Sequence, residues 1–355
     1  MTAVGQGKGG RAGARRATLA TVADLAGYHV STVSRVLNGT TVPGARSASS
    51  AAAERIRQVA REVGYVPNAQ AAALRRQRTG MVGVIMARMT DTVAATIYEG
   101  VERAAAEHGY QTLVMNSWDD DETRARCVDL LMAHGVDALI HGDALADGSS
   151  LQVLERSGLP FVLVNRGAGA YPSVTADDRG GGRQAAEHLL ALGHREVGVL
   201  AGLPYAGNAI ERTRGFCETF AEAGHPVRPD RVVPTTFDSA GGRTGADRLL
   251  RAGDGPTALF AVSDAAAIGA LGSLRDQGLH PGRDVSVVGF NDMPIAGDLT
   301  VPLTTVRSPM REIGERSVAL LLAVMEGEPG EVVRFPTELV VRETTGPAPG
   351  LTRGR

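Results

Sequence analysis

From residue 80 onward, short apolar runs rich in β-branched residues alternate with longer runs of helical periodicity, and this alternation limits the possible folds most. The apolar runs are MVGVIM, QTLVMN, DALIHG, PFVLVN, REVGVLAG, TALFAVS and VSVVGFN. Apolar residues recur at helical spacing over 94–108, 123–133, 183–192 and 265–277. Such alternation is typical of parallel sheets covered by helices. Because the strands are too many for one compact sheet, we expect two similar α/β lobes over 80–347.

The carboxyl ends of the predicted strands indicate where a ligand would bind. Ligands of open parallel α/β sheets bind at those ends, so two lobes would face each other across a cleft. Asn165 ends PFVLVN, Ser263 follows TALFAV, and Asn291 ends VSVVGFN. Asn, Ser and Asp also cap helices and turns at such positions. A structural role therefore remains open for Asn291 and, above all, for Asp264.

Charge is distributed very unevenly along the 355 residues. The net charge is only −2, but residues 1–80 carry 12 Arg or Lys against 3 Asp or Glu, which is +9. The remaining residues carry 25 basic and 36 acidic side chains, which is −11. A basic head on an acidic body predicts that the head binds a polyanion and the body does not. The preference for Arg over Lys suits phosphate binding, although a GC-rich genome would produce the same bias.

The segment TLATVADLAGYHVSTVSRVLNG at 18–39 predicts two helices separated by a glycine turn. The apolar face of the first helix is formed by Leu19, Val22, Ala23 and Ala26. Gly27 breaks this helix, and the second has a dry side, expected to pack on the first helix, made of Val30, Val33, Val36 and Leu37. The pattern fits a helix-turn-helix, whose second helix enters the DNA major groove. An ordinary helical hairpin fits the same spacing.

The residues on either side of this segment favour the DNA-binding interpretation. Residues 1–17 are rich in Gly, Ala and Arg without apolar periodicity, and we expect a disordered basic tail there. The run SSAAAERIRQVAREVGYVPN supplies a third helix with one apolar face, formed by Ile56, Val59, Ala60 and Val63. Arg55, Arg57 and Arg61 lie elsewhere on that helix and suit phosphate contacts, which supply most of the affinity for DNA.

Several other classes of protein are disfavoured. Cys127 and Cys217 are far apart and lie in helical patterns, so we expect buried thiols in a reducing compartment. No metal-ligand spacing, phosphate loop or nucleophile–base motif occurs, so we expect no metal, no cofactor and no catalysis. The first 20 residues lack the apolar stretch of a signal peptide, and no run approaches a membrane span. The sequence therefore predicts a cytoplasmic, nucleoid-associated protein without a membrane partner.

Two motifs in the head resemble a known family. TVSRVLNG at 32–39, followed by GYVPNAQAAALR at 64–75, looks like the lac repressor (LacI/GalR) family of bacterial transcription regulators. AAEHLLALGHREVGVLAG at 185–202 and DVSVVGFNDMPIAGDLTVPLTTVR at 284–307 are similar to the family core. The resemblance runs from Thr18 to Thr345. It implies a small all-α helix-turn-helix head over 18–66, a hinge helix over 67–79, a two-lobed core similar to periplasmic sugar-binding proteins over 80–347, and a tail over 348–355.

The resemblance also implies which residues contact DNA. It places the base contacts on Val30, Ser31 and Arg35. An arginine can fork onto guanine and a valine can meet a thymine methyl, so these residue types suit that role. We expect backbone contacts from Thr32, Ser34, Asn38, Arg55 and Asn68. Hinge residues Ala71 and Leu74 would reach the minor groove, where an apolar wedge opens a base step. The chain departs from the family at His29, which stands where a serine usually caps the reading helix, so this cap is weakened or replaced.

The effector contacts come partly from strand ends and partly from the resemblance, which places Asn165, Arg212, Phe237 and Asn291 on family contact positions. The complete expected set is Arg88, Asp91, Asn165, Asn208, Arg212, Phe237, Ser263 and Asn291. A ring with polar side chains around it suits a sugar. Phe237 as a core residue and Arg212 as a salt-bridge partner on the lobe surface remain alternatives. Asn291 replaces an aspartate of several sugar-responsive relatives, and Arg88 admits an anionic effector such as an acidic sugar.

These observations predict a homodimeric, sequence-specific transcription regulator, expected to be a repressor, that binds a pseudo-palindromic double-stranded operator. A sugar or sugar derivative between the lobes would alter the placement of the hinges, and effector and DNA would change each other's affinity equally. The alternatives are a solute-binding receptor without DNA regulation and an enzyme on a sugar-binding fold. The basic head disfavours the first, and the lack of a catalytic constellation disfavours the second.

Overall fold

The computed structural model describes residues 17–38, 48–65, 78–251 and 255–349. The chain forms two compact units, one before and one after the boundary between Thr79 and Gly80. This boundary coincides with the end of the predicted hinge segment. The predicted tail over 1–17 lies outside the described residues except for its last residue.

The first unit is a cluster of three helices, α1 (Leu19–Ala26), α2 (Val30–Asn38) and α3 (Ser50–Glu62). Thr18 caps α1 by accepting from the backbone N–H of Thr21 at 3.2 Å. Gly27 ends α1 with φ of 75°, a left-handed conformation that glycine adopts without steric cost. The helices enclose a small apolar core of Val22, Ala23, Val33, Ile56, Val59 and Ala60. The predicted three-helix head is confirmed.

The second unit contains twelve strands among the described residues. They are β1 (Met81–Met86), β2 (Gln111–Asn116), β3 (Ala138–His141), β4 (Phe161–Val164), β5 (Ser173–Ala176), β6 (Val197–Leu200), β7 (Val232–Val233), β8 (Ala258–Ala261), β9 (Ser286–Asn291), β10 (Thr304–Arg307), β11 (Val332–Phe335) and β12 (Glu338–Val340). The helices between them are α4 (Thr92–Glu107), α5 (Asp121–Ala133), α6 (Gln152–Ser157), α7 (Asp178–Ala191), α8 (Gly207–Glu222), α9 (Ser239–Leu250), α10 (Asp264–Asp276) and α11 (Met310–Met325).

The strands form two six-stranded sheets, one for each lobe. The first lobe has the order β11-β5-β4-β3-β1-β2 and is entirely parallel. The second has the order β12-β10-β9-β8-β6-β7, with only β12 antiparallel to its neighbour. Since β11 and α11 return to the first lobe and β12 to the second, the chain crosses between the lobes three times. The parallel orientation brings the carboxyl ends of β1, β4, β6, β8 and β9 to the edges that carry the candidate site.

Apolar helices cover both faces of each sheet, as the buried strand sequences require. In the first lobe α4 and α11 pack on one face, while α5 and α6 cover the other. In the second lobe α7 and α8 cover one face, while α9 and α10 cover the other. Helices α7 and α8 approach closely at Gly182, where a Cβ atom would collide with the Arg212 carbonyl. This close packing fixes the helix that carries Arg212.

The predicted α/β core is confirmed, and all seven predicted strands are present. Five strands were not predicted, namely β5, β7, β10, β11 and β12. They are short, and β11 and β12 lie at sheet edges with an alternating or partly exposed pattern, so they lack the continuous apolar run of a central strand. The prediction of two buried thiols is wrong for one residue, since Cys127 is buried but Cys217 is only half-buried. No helix in the described parts of the chain is long and apolar enough to cross a membrane.

Candidate effector site and DNA-reading helix

The second helix of the head exposes the residues expected to read bases. Val33 is fully buried on α2, whereas Val30 is 40 % exposed. The prediction that Val30 belongs to the dry side is therefore wrong, and its exposure leaves it available as a base contact. Ser31 is also exposed, and Arg35 lies one turn further along, its Nε donating to the Ser31 carbonyl at 3.2 Å. Val30 and Ser31 are thus exposed at the start of α2, and Arg35 is half-buried one turn further along, whereas Val33 packs in the core of the head.

His29 replaces the expected serine cap with a ring nitrogen. Its Nδ1 accepts from the Ser31 backbone N–H at 3.3 Å and lies 2.8 Å from the Ser31 hydroxyl. The His29 carbonyl accepts from Thr32 and Val33. The start of the reading helix is therefore capped, and the same side chain holds the hydroxyl of an expected base contact.

The expected backbone contacts are only partly described. Thr32 and Ser34 are half-buried on α2, and Arg55 is exposed on α3. Arg57 and Arg61 on the same helix pair with Glu54 at 3.8 and 3.4 Å. Asn38 ends α2, but its side chain, like residues Asn68, Ala71 and Leu74 of the predicted hinge, lies outside the described residues.

In the core, seven of the eight expected effector residues surround one small inner pocket of about 30 Å³. They are Asp91, Asn165, Asn208, Arg212, Phe237, Ser263 and Asn291. The first two belong to the first lobe and the others to the second, so the pocket lies in the predicted cleft. Arg88 lines instead a larger outer cavity of about 470 Å³, which shares Asp91 and Phe237 with the inner pocket. The structure thus brings the whole set into one continuous cleft.

Arg212 is firmly held in the inner pocket. It is 2 % exposed, its Nε donates to Asp178 at 2.7 Å, and its Nη1 donates to the Val262 carbonyl at 2.7 Å. Its guanidinium lies 3.8 Å from the centre of the Phe290 ring. Burial raises the pKa of Asp178 to about 6, although Arg212 opposes the rise. Among the described residues none accepts from Nη2, so a ligand oxygen can take this donor. The alternative of a surface salt bridge is wrong, because the pair is buried.

Two asparagines connect the lobes across the inner pocket. Asn165 follows β4 in a left-handed conformation, with φ of 65°. Its Oδ1 accepts from Nδ2 of Asn208 at 3.4 Å, and Asn208 lies at the start of α8 in the second lobe. At this length the hydrogen bond is weak, so ligand hydroxyls can replace it at little cost. Both amides therefore suit a site that changes partners when a ligand enters.

Asn291 leaves a buried acceptor unpaired in the inner pocket. It ends β9 with φ of 109° and is 3 % exposed. Its Oδ1 is buried without a hydrogen-bond partner among the described residues. A buried acceptor left unpaired is costly and calls for an explanation such as an absent ligand. Turn capping, the alternative for Asn291, does not occupy this oxygen.

Ser263 and Asp264 have structural partners. The Ser263 hydroxyl caps α10 by accepting from Ala266 at 3.2 Å and donates to the Phe237 carbonyl at 3.2 Å. It therefore positions Phe237 and retains little capacity for a ligand. Asp264 is fully buried and accepts from the Met293 N–H at 2.7 Å and from Thr305 at 2.5 Å. Its structural interpretation fits the contacts, although the helix cap itself is Ser263.

The Phe237 ring is shared between the lobes. It packs against the apolar cluster of the second lobe and remains half-buried, so it is partly a core residue and partly a cleft wall. The guanidinium of Arg166, from the first lobe, lies 5.6 Å from its ring centre. Arg166 directly follows Asn165 in sequence and was not predicted as a site residue. Its position after a strand was the available signal, but arginine is so common on surfaces that the signal was weak.

Arg166 is held by a buried ion network that sequence reasoning also missed. Its Nη1 donates to Asp119 at 2.5 Å and to Asp143 at 2.7 Å. Asp143 is fully buried and also accepts from Arg124 Nε at 2.9 Å and from the Ser117 hydroxyl. Asp119, Asp143 and Arg166 come from loops after three different strands, and Arg124 lies on α5, so no local pattern joins them. The network fixes the charged wall of the first lobe before any ligand arrives.

The outer cavity carries Arg88 and Asp91 as expected. Asp91 caps α4 by accepting from Val93 at 3.0 Å. Its surface is exposed to the cleft, but the atoms crowded around it desolvate the carboxylate and raise its pKa, while this bond and nearby arginines oppose the rise. The Arg88 guanidinium lies 5.5 Å from the centre of the Trp118 ring. Trp118 and Tyr205 also line this cavity, and neither was predicted. In the described parts of the chain, no group of three or more His, Cys, Asp or Glu could hold a metal ion.

A helix-turn-helix head joined to a two-lobed α/β core with a polar cleft at its strand ends defines a class, the ligand-responsive DNA-binding regulators. Two family models match the chain and fit this class. Residues 18–68 match "Bacterial regulatory proteins, lacI family", and residues 79–343 match "Periplasmic binding proteins and sugar binding domain of LacI family". The chain belongs to the LacI family of bacterial transcription regulators.

Curated relatives match over nearly their whole length. The chain is 30 % identical over 339 residues to the transcriptional regulator DegA of Bacillus subtilis, covering 94 % of this chain and 99 % of the relative. It is 32 % identical over 341 residues to CelR of Thermobifida fusca, covering 93 % and 98 %. GalR of Escherichia coli is 30 % identical over 341 residues, covering 94 % and 97 %. The family consists of transcription regulators, so the chain is a DNA-binding regulator and not an enzyme.

Solved structures agree with the fold. A lac repressor dimer bound to operator and the anti-inducer ONPF matches with a TM-score of 0.84 at 27 % identity, covering 93 % of this chain and 99 % of that one. A CelR–cellobiose complex matches with a TM-score of 0.70 at 31 % identity, covering 93 % and 100 %. The predicted fold class, a helix-turn-helix head with a periplasmic-binding-protein-like core, is confirmed.

Proposed function

We propose that this regulator is a repressor that binds a pseudo-palindromic operator as a homodimer and releases it when a sugar or sugar derivative binds between the lobes. The observation that carries the effector half is the inner pocket, where a free donor of Arg212 and an unpaired acceptor of Asn291 lie on one wall. Complementary donors and acceptors around a ring suit hydroxyl groups. A ligand bound there would change how the two lobes are arranged, because residues of both lobes line the pocket.

On DNA, Val30, Ser31 and Arg35 would read base edges. Phosphate contacts would come from Thr32, Ser34, Asn38, Arg55 and Asn68. Ala71 and Leu74 would enter the minor groove at the operator centre, an assignment that rests on the family resemblance alone. Two heads related by a two-fold axis match an operator with two inverted half-sites. Support for the dimer comes from the similarity to the operator-bound lac repressor dimer. Action on DNA places the protein in the cytoplasm, associated with the nucleoid.

The remaining expected contacts have graded roles. Asn165, Asn208, Arg212 and Asn291 offer side-chain groups that a ligand can take, and Phe237 offers a ring face. Ser263 positions Phe237 rather than the ligand, since its hydroxyl is already bonded twice. Arg88 and Asp91 would contact the part of the effector that extends into the outer cavity. Effector and operator binding are reciprocal, so an effector that weakens DNA binding is itself bound less tightly by the operator complex.

One experiment tests both halves. The full chain is used to select operators from random sequences, and release is then followed by fluorescence anisotropy as sugars are added. Leu74→Ala should weaken operator binding and leave effector binding intact, because only the wedge is removed. Arg212→Ala should bind operator normally and no longer respond to effector. Normal release by the Arg212 variant would contradict the proposed effector site, and undiminished binding by the Leu74 variant would contradict the wedge.

A flat salt titration would contradict the DNA half independently. With about 6–10 phosphate contacts per dimer, the logarithm of the affinity should fall steeply with the logarithm of salt concentration, by about 0.9 per contact. A solute receptor with no operator would select no sequence and show no such slope.

A further inference from the structure

We propose that the effector is an oligosaccharide of at least two units, whose second unit stacks on Trp118 in the outer cavity. This inference rests on the proposed function, because it names the ligand class of the same cleft. It begins from the sizes of the two spaces. The inner pocket of about 30 Å³ has room for about two water molecules. The outer cavity of about 470 Å³ falls within the range of small-molecule sites. The larger part of a ligand must therefore lie outside the inner pocket.

The walls of the outer cavity carry aromatic rings on both lobes. Trp118 lines it from the first lobe, and Tyr205 and Phe237 line it from the second. Trp118 is 50 % exposed, so it contributes little to the core of its lobe. Amphipathic rings are suited to ligands that present one apolar face and polar edges. A pyranose ring has this character, with axial C–H groups on its faces and hydroxyls around its edge.

The backbone that presents Trp118 is strained and firmly held. Trp118 and Asp119 have φ of 62° and 58°, in the left-handed region that non-glycine residues seldom adopt. The Trp118 N–H donates to the Ala87 carbonyl at 2.9 Å, and Asp119 is fixed by Arg166 at 2.5 Å. Strain that surrounding contacts maintain is found where a side chain must be aimed. Here it aims the indole at the cleft.

The polar groups of the cavity suit a neutral ligand better than an anion. Arg166 is already neutralised by Asp119 and Asp143. Arg88 forms no ion pair within the described residues, but it shares the cavity with Asp91 and Asp238. The walls therefore hold no excess positive charge. Carboxylates and the Tyr205 hydroxyl, which has no hydrogen bond to any described residue, can instead accept from and donate to sugar hydroxyls.

The chain contains a built-in probe, since Trp118 is its only tryptophan. The full-length protein is titrated with maltose, maltotriose, cellobiose, cellotriose, lactose and xylobiose, each against its own monosaccharide, and with glucose 6-phosphate and glucuronate. Calorimetry gives affinities, and tryptophan emission reports stacking. We expect one oligosaccharide series to bind at least about tenfold tighter than its monosaccharide and to shift the emission to the blue.

Variants separate stacking from general damage. Trp118→Ala should lose about tenfold in oligosaccharide affinity, falling to the monosaccharide value, while Trp118→Phe keeps most of it. The control is Leu130→Ala, which removes an apolar side chain of the same lobe that is 40 % exposed and lies outside the cavity. It should leave oligosaccharide affinity unchanged. Operator affinity should be the same in all variants, and thermal unfolding checks their folding.

Any of four results would overturn the inference, the first three of which concern sugars that do bind. These three are equal affinity for a monosaccharide and its oligosaccharide, tighter binding of a charged monosaccharide with unchanged emission, and unaltered oligosaccharide affinity in Trp118→Ala. Failure of every sugar to bind would also overturn it. If the same preparation still binds its operator selectively, only the oligosaccharide inference fails. If selective operator binding is lost as well, the proposed function fails with it.

Discussion

The DNA-reading helix and the effector cleft present their functional groups in opposite ways. On α2, Val30 and Ser31 are exposed and belong to one helix of nine residues. In the cleft, Arg212 and Asn291 are almost fully buried and come from elements far apart in sequence. An exposed residue can change without affecting folding, whereas a buried polar residue is also a structural one. Operator specificity can therefore vary freely, while effector specificity is tied to the stability of the core.

The largest effect should come from breaking the buried pair in the cleft. Arg212→Ala leaves the Asp178 carboxylate buried without its partner, which costs about 3–5 kcal/mol of stability, and it abolishes the effector response. Arg214→Ala on the same helix removes an exposed pair with Glu211 and should cost at most about 1 kcal/mol. Chemical denaturation measures both. If the two substitutions lowered stability equally, the burial of the Arg212–Asp178 pair would make no difference to its contribution.

A base contact on the reading helix, where Arg35 is only half-buried, should behave differently. Arg35→Ala should weaken operator binding by about 1–3 kcal/mol, with little loss on random DNA and no change in stability. Arg57→Ala, which removes a surface charge paired with Glu54, should weaken both DNAs alike. Anisotropy with specific and random duplexes decides the case. Equal losses on both duplexes for Arg35→Ala would show that it contacts phosphate only.

Titration of Asp178 gives the cleft a pH dependence. With a pKa of about 6, Asp178 is mostly ionised at pH 7 and mostly neutral at pH 5. If only the ionised form holds Arg212 correctly, effector affinity should fall by about tenfold at pH 5. Asp178→Asn should show the low affinity already at pH 7 and should lose the tenfold fall between pH 7 and pH 5. A fall of the same size in this variant would exclude Asp178 as its source.

Protonation of Asp178 also changes the stability of the fold with pH, and the direction of that change distinguishes weaker effector binding from unfolding. The folded chain holds this proton more tightly than the unfolded chain, whose aspartate has the ordinary pKa near 3.8. The contribution of Asp178 to stability is therefore complete below about pH 4 and is lost as the pH rises through about 6. Weaker effector binding at pH 5 thus cannot come from unfolding driven by this group.

The smallest effect concerns the start of the reading helix. His29→Ala removes the acceptor for the Ser31 N–H and should destabilise the head by about 0.5–1 kcal/mol. His29→Ser supplies another cap acceptor and should recover most of this loss. Thermal unfolding followed by circular dichroism compares the two. Identical unfolding of all three proteins would show that the imidazole contributes nothing as a cap.

The sequence by itself determined what local chemistry controls. Helical periodicity and the Gly27 break defined the head, because neighbours along one helix share a face. Continuous β-branched runs defined the central strands, because a strand buried on both sides needs them. Strand ends and the family resemblance together then predicted the effector residues, which the fold brings around one cleft.

Only the tertiary structure decided which side chains hold that cleft in place. Arg166, Asp119 and Asp143 lie after different strands, and their ion network exists because parallel strands end at one edge. Trp118 joined the outer cavity for the same reason, and its left-handed backbone depends on contacts with Ala87 and Arg166. The exposure of Val30 likewise follows from how α2 packs on its neighbours. Such positions depend on contacts between residues distant in sequence, which a local sequence pattern cannot predict.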